Sequence, residues 1–237
     1  MCSSDLQYGL PGHPQLPPAE YALAWNDSRT GRSAYSFCMC PGGVVVAGSS
    51  EEGGVVTNGM SDYRRSSLYA NSALVVNVRD DDFPGDSPLA GVEFQRSLER
   101  AAFTAGGSDY RAPAQNLMAF LGEKGSYRVA STYRPGVQET DLSLVLPDYV
   151  TDTLRAGIRN FDRKMRGFVS AEATLTGVET RTSAPVRIVR GEDLQSLTLR
   201  GMYPVGEGAG YAGGIMSAAL DGIRVADAIA REIQAKS

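Results

Sequence analysis

The 237-residue chain has one histidine, one tryptophan and three cysteines. A single imidazole, His13, cannot build a histidine-rich metal centre, and three thiols beside it offer no metal-ligand spacing. One thiol, Cys2, falls in the first six residues. The other two, Cys38 and Cys40, make no disulfide framework, which excludes the small stapled secreted scaffolds. Long apolar runs are missing too: none approaches the ~18–20 residues of a membrane span, and no signal peptide is visible. Positive charge is scarce, with 23 Lys and Arg against 27 Asp and Glu, a net of −4. No basic stripe follows a nucleic-acid backbone. Nucleic-acid and membrane partners are therefore not expected, and a reducing cytoplasm is the expected location. Glycine, by contrast, is plentiful at 27 residues, which suits tight turns and backbone that approaches a ligand closely. The length admits one or two domains.

Residues 1–20, with Pro11, Pro14, Pro17 and Pro18, read as an extended entry segment. Strands are expected at Tyr21–Trp25, Ser33–Cys40, Val44–Ala47, Val55–Asn58 and Leu74–Val78, with Pro41-Gly42-Gly43 as a turn between the second and third. They suggest a small, mainly antiparallel sheet. Leu89–Ala105 reads as a helix ended by Gly106-Gly107, and Asn116–Leu121 as a short helix or strand. Residues 122–147 are turn-rich and unassigned. Asp148 reads as an N-cap, followed by a helix with Leu154, Ile158, Phe161, Met165 and Phe168 on one face. Strands follow at Ala173–Glu179 and Val186–Val189. The last helix, from Gly214 to Lys236, carries a stripe of Ile215, Ala219, Gly222, Ala226, Ile229 and Ile233, with Glu232/Lys236 as a wet-side pair.

Just before that helix lies the most informative segment, Gly201–Ile215, read as a strand and turn. Between Gly206 and Gly214 only Glu207 and Tyr211 are neither glycine nor alanine. A strand that ends in small residues and enters a helix offers backbone N–H groups at the positive helix end, suited to a nucleotide-type ligand. The string Gly208-Ala-Gly210-Tyr-Ala-Gly213 fits G-x-G-x-x-G, but the dinucleotide fingerprint opens a βαβ unit with an acidic residue about 20 residues on. Only one helix follows here.

Leu199–Ile215 resembles the C-terminal FAD motif of the uncharacterised FAD-dependent dehydrogenases, a branch of the glutathione-reductase-like flavoproteins. Gly31–Gly43 and Glu179–Ile188 match the same family, as do Asn58–Ser61 and Ala70–Leu74. The resemblance implies an α+β fold: a β-rich substrate or cap region over 21–198, and the final strand and helix of an FAD-binding domain over 199–237. It implies FAD as cofactor, a ribityl contact from Glu207, and ring contacts from Gly213, Gly214 and Ile215. Gly206, Gly208, Tyr211 and Ala212 complete the expected cofactor set. The family's N-terminal pyrophosphate-binding unit has no counterpart, so the chain reads as the C-terminal part of a longer oxidoreductase. By itself it should be inactive and bind FAD weakly or not at all. Met1–Leu6 match nothing in the family and read as an assembly scar, the translation of a sequencing adapter.

Other residues carry chemistry of their own. Arg181, Thr182, Ser183 and Arg187 mix hydroxyl donors and guanidinium groups around Pro185. A reduced flavin gains negative charge, which nearby positive charge stabilises; the same arginines suit an anionic small-molecule substrate. On a regular strand Cys38 and Cys40 share one face with Ser36. Their spacing is poor for a disulfide, so they read as buried apolar thiols. His13 is the sole ordinary neutral-pH acid–base group, and reads as a packed loop residue before a proton donor. No catalytic residue is named. The competing class is a non-catalytic ligand- or partner-binding module; a third reading is a thiol-redox protein using Cys38 and Cys40.

Overall fold

A computed structural model describes residues 22–49 and 51–236. His13 and the reading of residues 1–20 lie outside them. The chain forms two compact units: residues up to 79 with 97–179, and residues 80–96 with those from 180 onward. The architecture is α+β with a mainly antiparallel sheet.

In the first unit, β1 (Leu23–Asn26), β2 (Ser33–Ala47), β3 (Thr57–Ser61) and β4 (Tyr69–Val76) form an antiparallel sheet in which β2 pairs with all three others. The expected break at Pro41-Gly42-Gly43 is absent, and β2 runs as one 15-residue strand. Two bulges absorb the proline. Phe37 to Cys40 is opposed by Ala73 to Asn71, and Cys40 to Gly43 by Asn71 to Tyr69. Each step sets an extra residue on β2, where a missing N–H disrupts no regular ladder. Gly42 has φ +53, and a Cβ there would lie 2.0 Å from the Arg65 carbonyl oxygen. Only glycine lets the β3–β4 loop cross so closely.

A second sheet sets β5 (Ala112–Asn116) between β6 (Val137–Glu139), parallel to it, and β7 (Thr174–Thr176), antiparallel. The segment read as helix or strand is both: β5 ends at Asn116, which caps α2 (Leu117–Phe120) by accepting from the Met118 amide at 2.8 Å. In element order α1 (Ala90–Ala105) precedes these strands and α3 (Asp148–Lys164) precedes β7. Leu154, Ile158 and Phe161 of α3 are buried, as the periodicity predicts. Met165 already leaves the helix, and the ring of Phe168 beyond it packs edge-on to Phe161 at 5.7 Å. Asp148 is the first helical residue and not the cap; Pro147 holds that position without a side-chain bond. The core gathers Leu23, Ala34, Phe120, Ile158 and Phe161 in one cluster, and Val55, Ala112, Tyr133 and Val178 in another.

The second unit holds the first turns of α1, the irregular stretch 180–214 and α4 (Ile215–Lys236). Phe83 packs on Phe94 at 5.9 Å. The strands expected at Val186–Val189 and in Leu199–Val205 are not formed. A strand needs a neighbour to receive its ladder, and only the single bridge Arg190–Ser196 forms there among the described residues. The amide of Ile188 goes to the Ala209 carbonyl instead, at 3.2 Å. The stripe of α4 also differs from expectation. Ile215 is 86% exposed and Ile233 61%, while Ala218, Asp221, Val225 and Glu232 lie on the covered side. Polar partners draw that side in: Glu232 accepts from the Tyr203 hydroxyl and from Gln195. Among the described residues no helix is long and apolar enough to cross a membrane.

Candidate functional site

The turn 206–211 closes on itself before α4. Gly206 and Gly210 have φ of +72 and +82, a region that glycine enters without steric cost. The Gly210 amide donates to the Glu207 carbonyl and the Tyr211 amide to the Gly206 carbonyl, both at 2.9 Å. Gly210 also permits close crossing, because a Cβ there would sit 2.5 Å from the Val186 carbonyl oxygen. The amides of Glu207, Gly208, Ala209, Ala212, Gly213 and Gly214 find no acceptor among the described residues. Glu207 is partly exposed, and its carboxylate has no partner there either. Positions 208 and 214 face open space.

The 181–187 segment lies against this turn. Ser183 Oγ is 3.9 Å from where a Cβ of Gly213 would stand. Arg187 Nε donates to the Gly210 carbonyl at 3.0 Å, and its guanidinium lies 5.1 Å from the Tyr211 ring centroid. Helix α1 braces the segment from its other side. Gln95 donates to the carbonyls of Thr180 and Ser183 at 2.8 and 3.3 Å, and Gly91 leaves room for Pro185. Thr182 Oγ1 is buried without a hydrogen-bond partner, and an orphan of this kind calls for an explanation. Arg181 is exposed.

Two residues that sequence reasoning missed hold the site together. Arg190 and Asp221 have side chains only 5% and 10% exposed and pair through two bonds of 2.6 and 3.0 Å. Asp221 Oδ2 also accepts from the Gly206 amide at 2.9 Å, and Arg190 donates to the Pro204 carbonyl at 2.7 Å. The Arg190 guanidinium lies 3.7 Å from the Tyr211 ring centroid, in cation–π range. The Tyr211 hydroxyl accepts from the Arg190 amide and donates to the Ile188 carbonyl. The bond from Arg190, aided by the Gly206 amide, holds the Asp221 carboxyl below its ordinary range. The sequence carries only a weak signal: Asp221 shares a side of α4 with Ala218 and Val225, and a charge on a covered side needs a partner.

Cys38 and Cys40 depart from expectation. Cys38 is exposed with φ +51, Cys40 is partly covered, and neither forms a disulfide. Ser36 is buried, so the alternation that would put all three on one face fails at the bulge. Burial, then the neighbouring Cys38 and Glu179, push the Cys40 thiol up. No cluster of three metal-ligating side chains occurs among the described residues.

A helix start with unsatisfied amides, a free carboxylate and an adjacent arginine-bearing segment has the chemistry to bind a polar, partly anionic ligand. Residues 3–182 match the family described as FAD-dependent protein, C-terminal domain-like, and the chain belongs to that family. An uncharacterized protein of Clostridium beijerinckii (strain ATCC 51743 / NCIMB 8052) is 52% identical over 227 residues, which cover 94% of this chain and 43% of that protein. The chain thus spans less than half the length of this curated relative. A match of that extent takes in the glycine turn, which lies beyond the range of the family match.

Proposed function

We propose that the chain is the C-terminal part of an FAD-dependent oxidoreductase, supplying the ribityl- and ring-facing side of the flavin site together with the substrate side. The observation that carries this reading is the set of unsatisfied amides beside the unpaired Glu207 carboxylate at the start of α4. The residues present fit the cofactor. A ribityl hydroxyl is a donor that suits the Glu207 carboxylate. Gly208, Gly213 and Gly214 offer backbone amides without a side chain, Ile215 adds its own at the helix start, and Thr182 Oγ1 is an orphan awaiting a partner. When bound, the flavin would supply hydride acceptance and release.

The chain's own groups orient and polarise. Arg187, tied to the turn, sets a positive charge beside the ring position. The α4 N-terminus adds its dipole to the same end. Arg181 is exposed, and its guanidinium has the charge and geometry to bind an anionic small-molecule substrate. Tyr211 props the turn through Arg190 more than it shields a ring. The pyrophosphate end of FAD would be held by a nucleotide-binding part of the parent chain. That part would also cover the apolar side of α4 at Ile215, Met216, Leu220 and Ile223. Composition favours a cytoplasmic location.

Absorption spectra test the reading. Full-length protein of the relative's length should purify yellow and bleach with NADH or NADPH. With the pyrophosphate end of FAD held by another part of the parent, the 237-residue chain should carry little flavin. A colourless full-length protein that takes up no FAD would sink the oxidoreductase reading and favour a non-catalytic binding module.

A further inference from the structure

Several polar ties around the glycine turn converge on one ion pair. We infer that Arg190 and Asp221 are positioning residues that hold the glycine turn in its ligand-ready shape before any ligand arrives; the inference rests on the reading of that turn as flavin-facing. A stretch this rich in glycine is costly to order. Asp221 removes part of that cost by accepting from the Gly206 amide while Arg190 grips its carboxylate. Arg190 then fastens the preceding residue pair through the Pro204 carbonyl. Its face lies on Tyr211, whose hydroxyl ties the segment 188–190 to the same point.

The turn amides therefore fall into two sets. Gly206, Gly210 and Tyr211 are consumed internally, whereas Glu207, Gly208 and Ala209 are left without acceptors. Order fixed in advance is not charged again at binding. A lysine could not replace Arg190, because the pair uses a planar fork to a carboxylate, a third donor to a carbonyl and a flat face against a ring.

Hydrogen exchange on the ligand-free 237-residue chain tests this, with Asp221→Asn and Arg190→Lys as variants and riboflavin as the probe. Riboflavin carries the ring and ribityl chain and needs no pyrophosphate cradle. In the parent chain the Gly206 and Tyr211 amides should be protected, and those of Glu207 and Gly208 should exchange fast. In each variant the two protected amides should exchange roughly tenfold to a hundredfold faster, the loss of one charge-assisted bond, while protection along α4 persists. Arg190→Lys keeps the charge, so it serves if Asp221→Asn unfolds the unit. Riboflavin fluorescence quenching by the parent chain should weaken by a similar factor in the variants. Unchanged exchange at Gly206 and Tyr211, or variants that bind riboflavin as tightly as the parent, would overturn the inference. A parent chain that shows the exchange difference and binds no riboflavin leaves the clamp standing, and the full-length absorption spectrum then decides the flavin reading.

Discussion

The two units satisfy their apolar residues in different ways. In the first, Phe120, Ile158 and Phe161 have no exposed surface, and most of the strand and helix pattern closes on itself. In the second, α4 leaves Ile215, Met216, Leu220 and Ile223 largely in water. Helix α4 has apolar residues both on its covered side, at Val225, and on an uncovered one, at Ile215 and Met216. What holds it is polar: Arg190 with Asp221, Tyr211 with Ile188, Tyr203 with Glu232. Packing holds the first unit together, whereas the second relies on polar ties and keeps apolar residues of α4 exposed.

The largest expected effect separates the units directly. Phe161→Ala should cost about 3–5 kcal/mol, the transfer of a buried ring plus the cavity it leaves. Leu220→Ala, on the uncovered side of α4, should change stability by no more than about 0.5 kcal/mol. The units need not unfold together, so exchange resolved by segment under mild denaturant is the measurement. A cost above about 2 kcal/mol for Leu220→Ala would mean that this side is already packed. Next in size is Asp221→Ala, expected to cost about 3 kcal/mol and only in the second unit, because it leaves a buried guanidinium unpaired. The folded carboxyl titrates below its unfolded value of roughly 3.9. Its contribution is therefore complete above that pH and disappears as pH falls through the lower folded value. Acid unfolding monitored at α4 should lose this dependence in the variant.

Periodicity was legible where a helix buries one face on its own chain, as with Leu154, Ile158 and Phe161. It is a poor guide in α4: the Ile215–Ile233 stripe follows hydrophobicity alone, while Asp221 and Glu232 lie on the side that is covered. The strands expected at Val186–Val189 and in Leu199–Val205 failed for a related reason, since extended β-branched sequence forms no ladder without a neighbour. The fused β2 was hidden because Pro41 and Gly42-Gly43 signal a turn locally, whereas the sheet accepts them as bulges. The two site segments, 181–187 and 206–215, could be found by residue type. Their convergence could not, because Arg190 and Asp221 lie 31 positions apart and nothing local marks them as a pair.

Within the turn, glycines divide by the same contrast between closed and open. Gly210→Ala places a Cβ 2.5 Å from the Val186 carbonyl at a φ of +82, so a loss of roughly 1–3 kcal/mol is expected. Gly208→Ala meets nothing within 4 Å and should be near neutral for folding. If position 208 nonetheless weakens riboflavin binding, its open space is ligand space. Equal destabilisation at both positions would show that the turn is strained throughout and not open at 208.

The smallest effect is one of sign. Burial raises the Glu179 carboxyl of the first unit above its ordinary value, the reverse of Asp221. A raised folded value means that its contribution is present below the unfolded pKa and is lost as pH climbs through the folded one. Between mild acid and neutrality the first unit should therefore weaken slightly, while the carboxylate of the second stays fully effective. Glu179→Gln keeps the shape and removes the titration, so at pH 7 the first unit should gain stability, by no more than about 1 kcal/mol. Its stability should also stop falling between pH 4 and 7. Segment-resolved exchange at β7 and at Val178 reads this out. A loss of stability at pH 7 in the variant would mean that the ionised carboxylate has a favourable partner outweighing its burial.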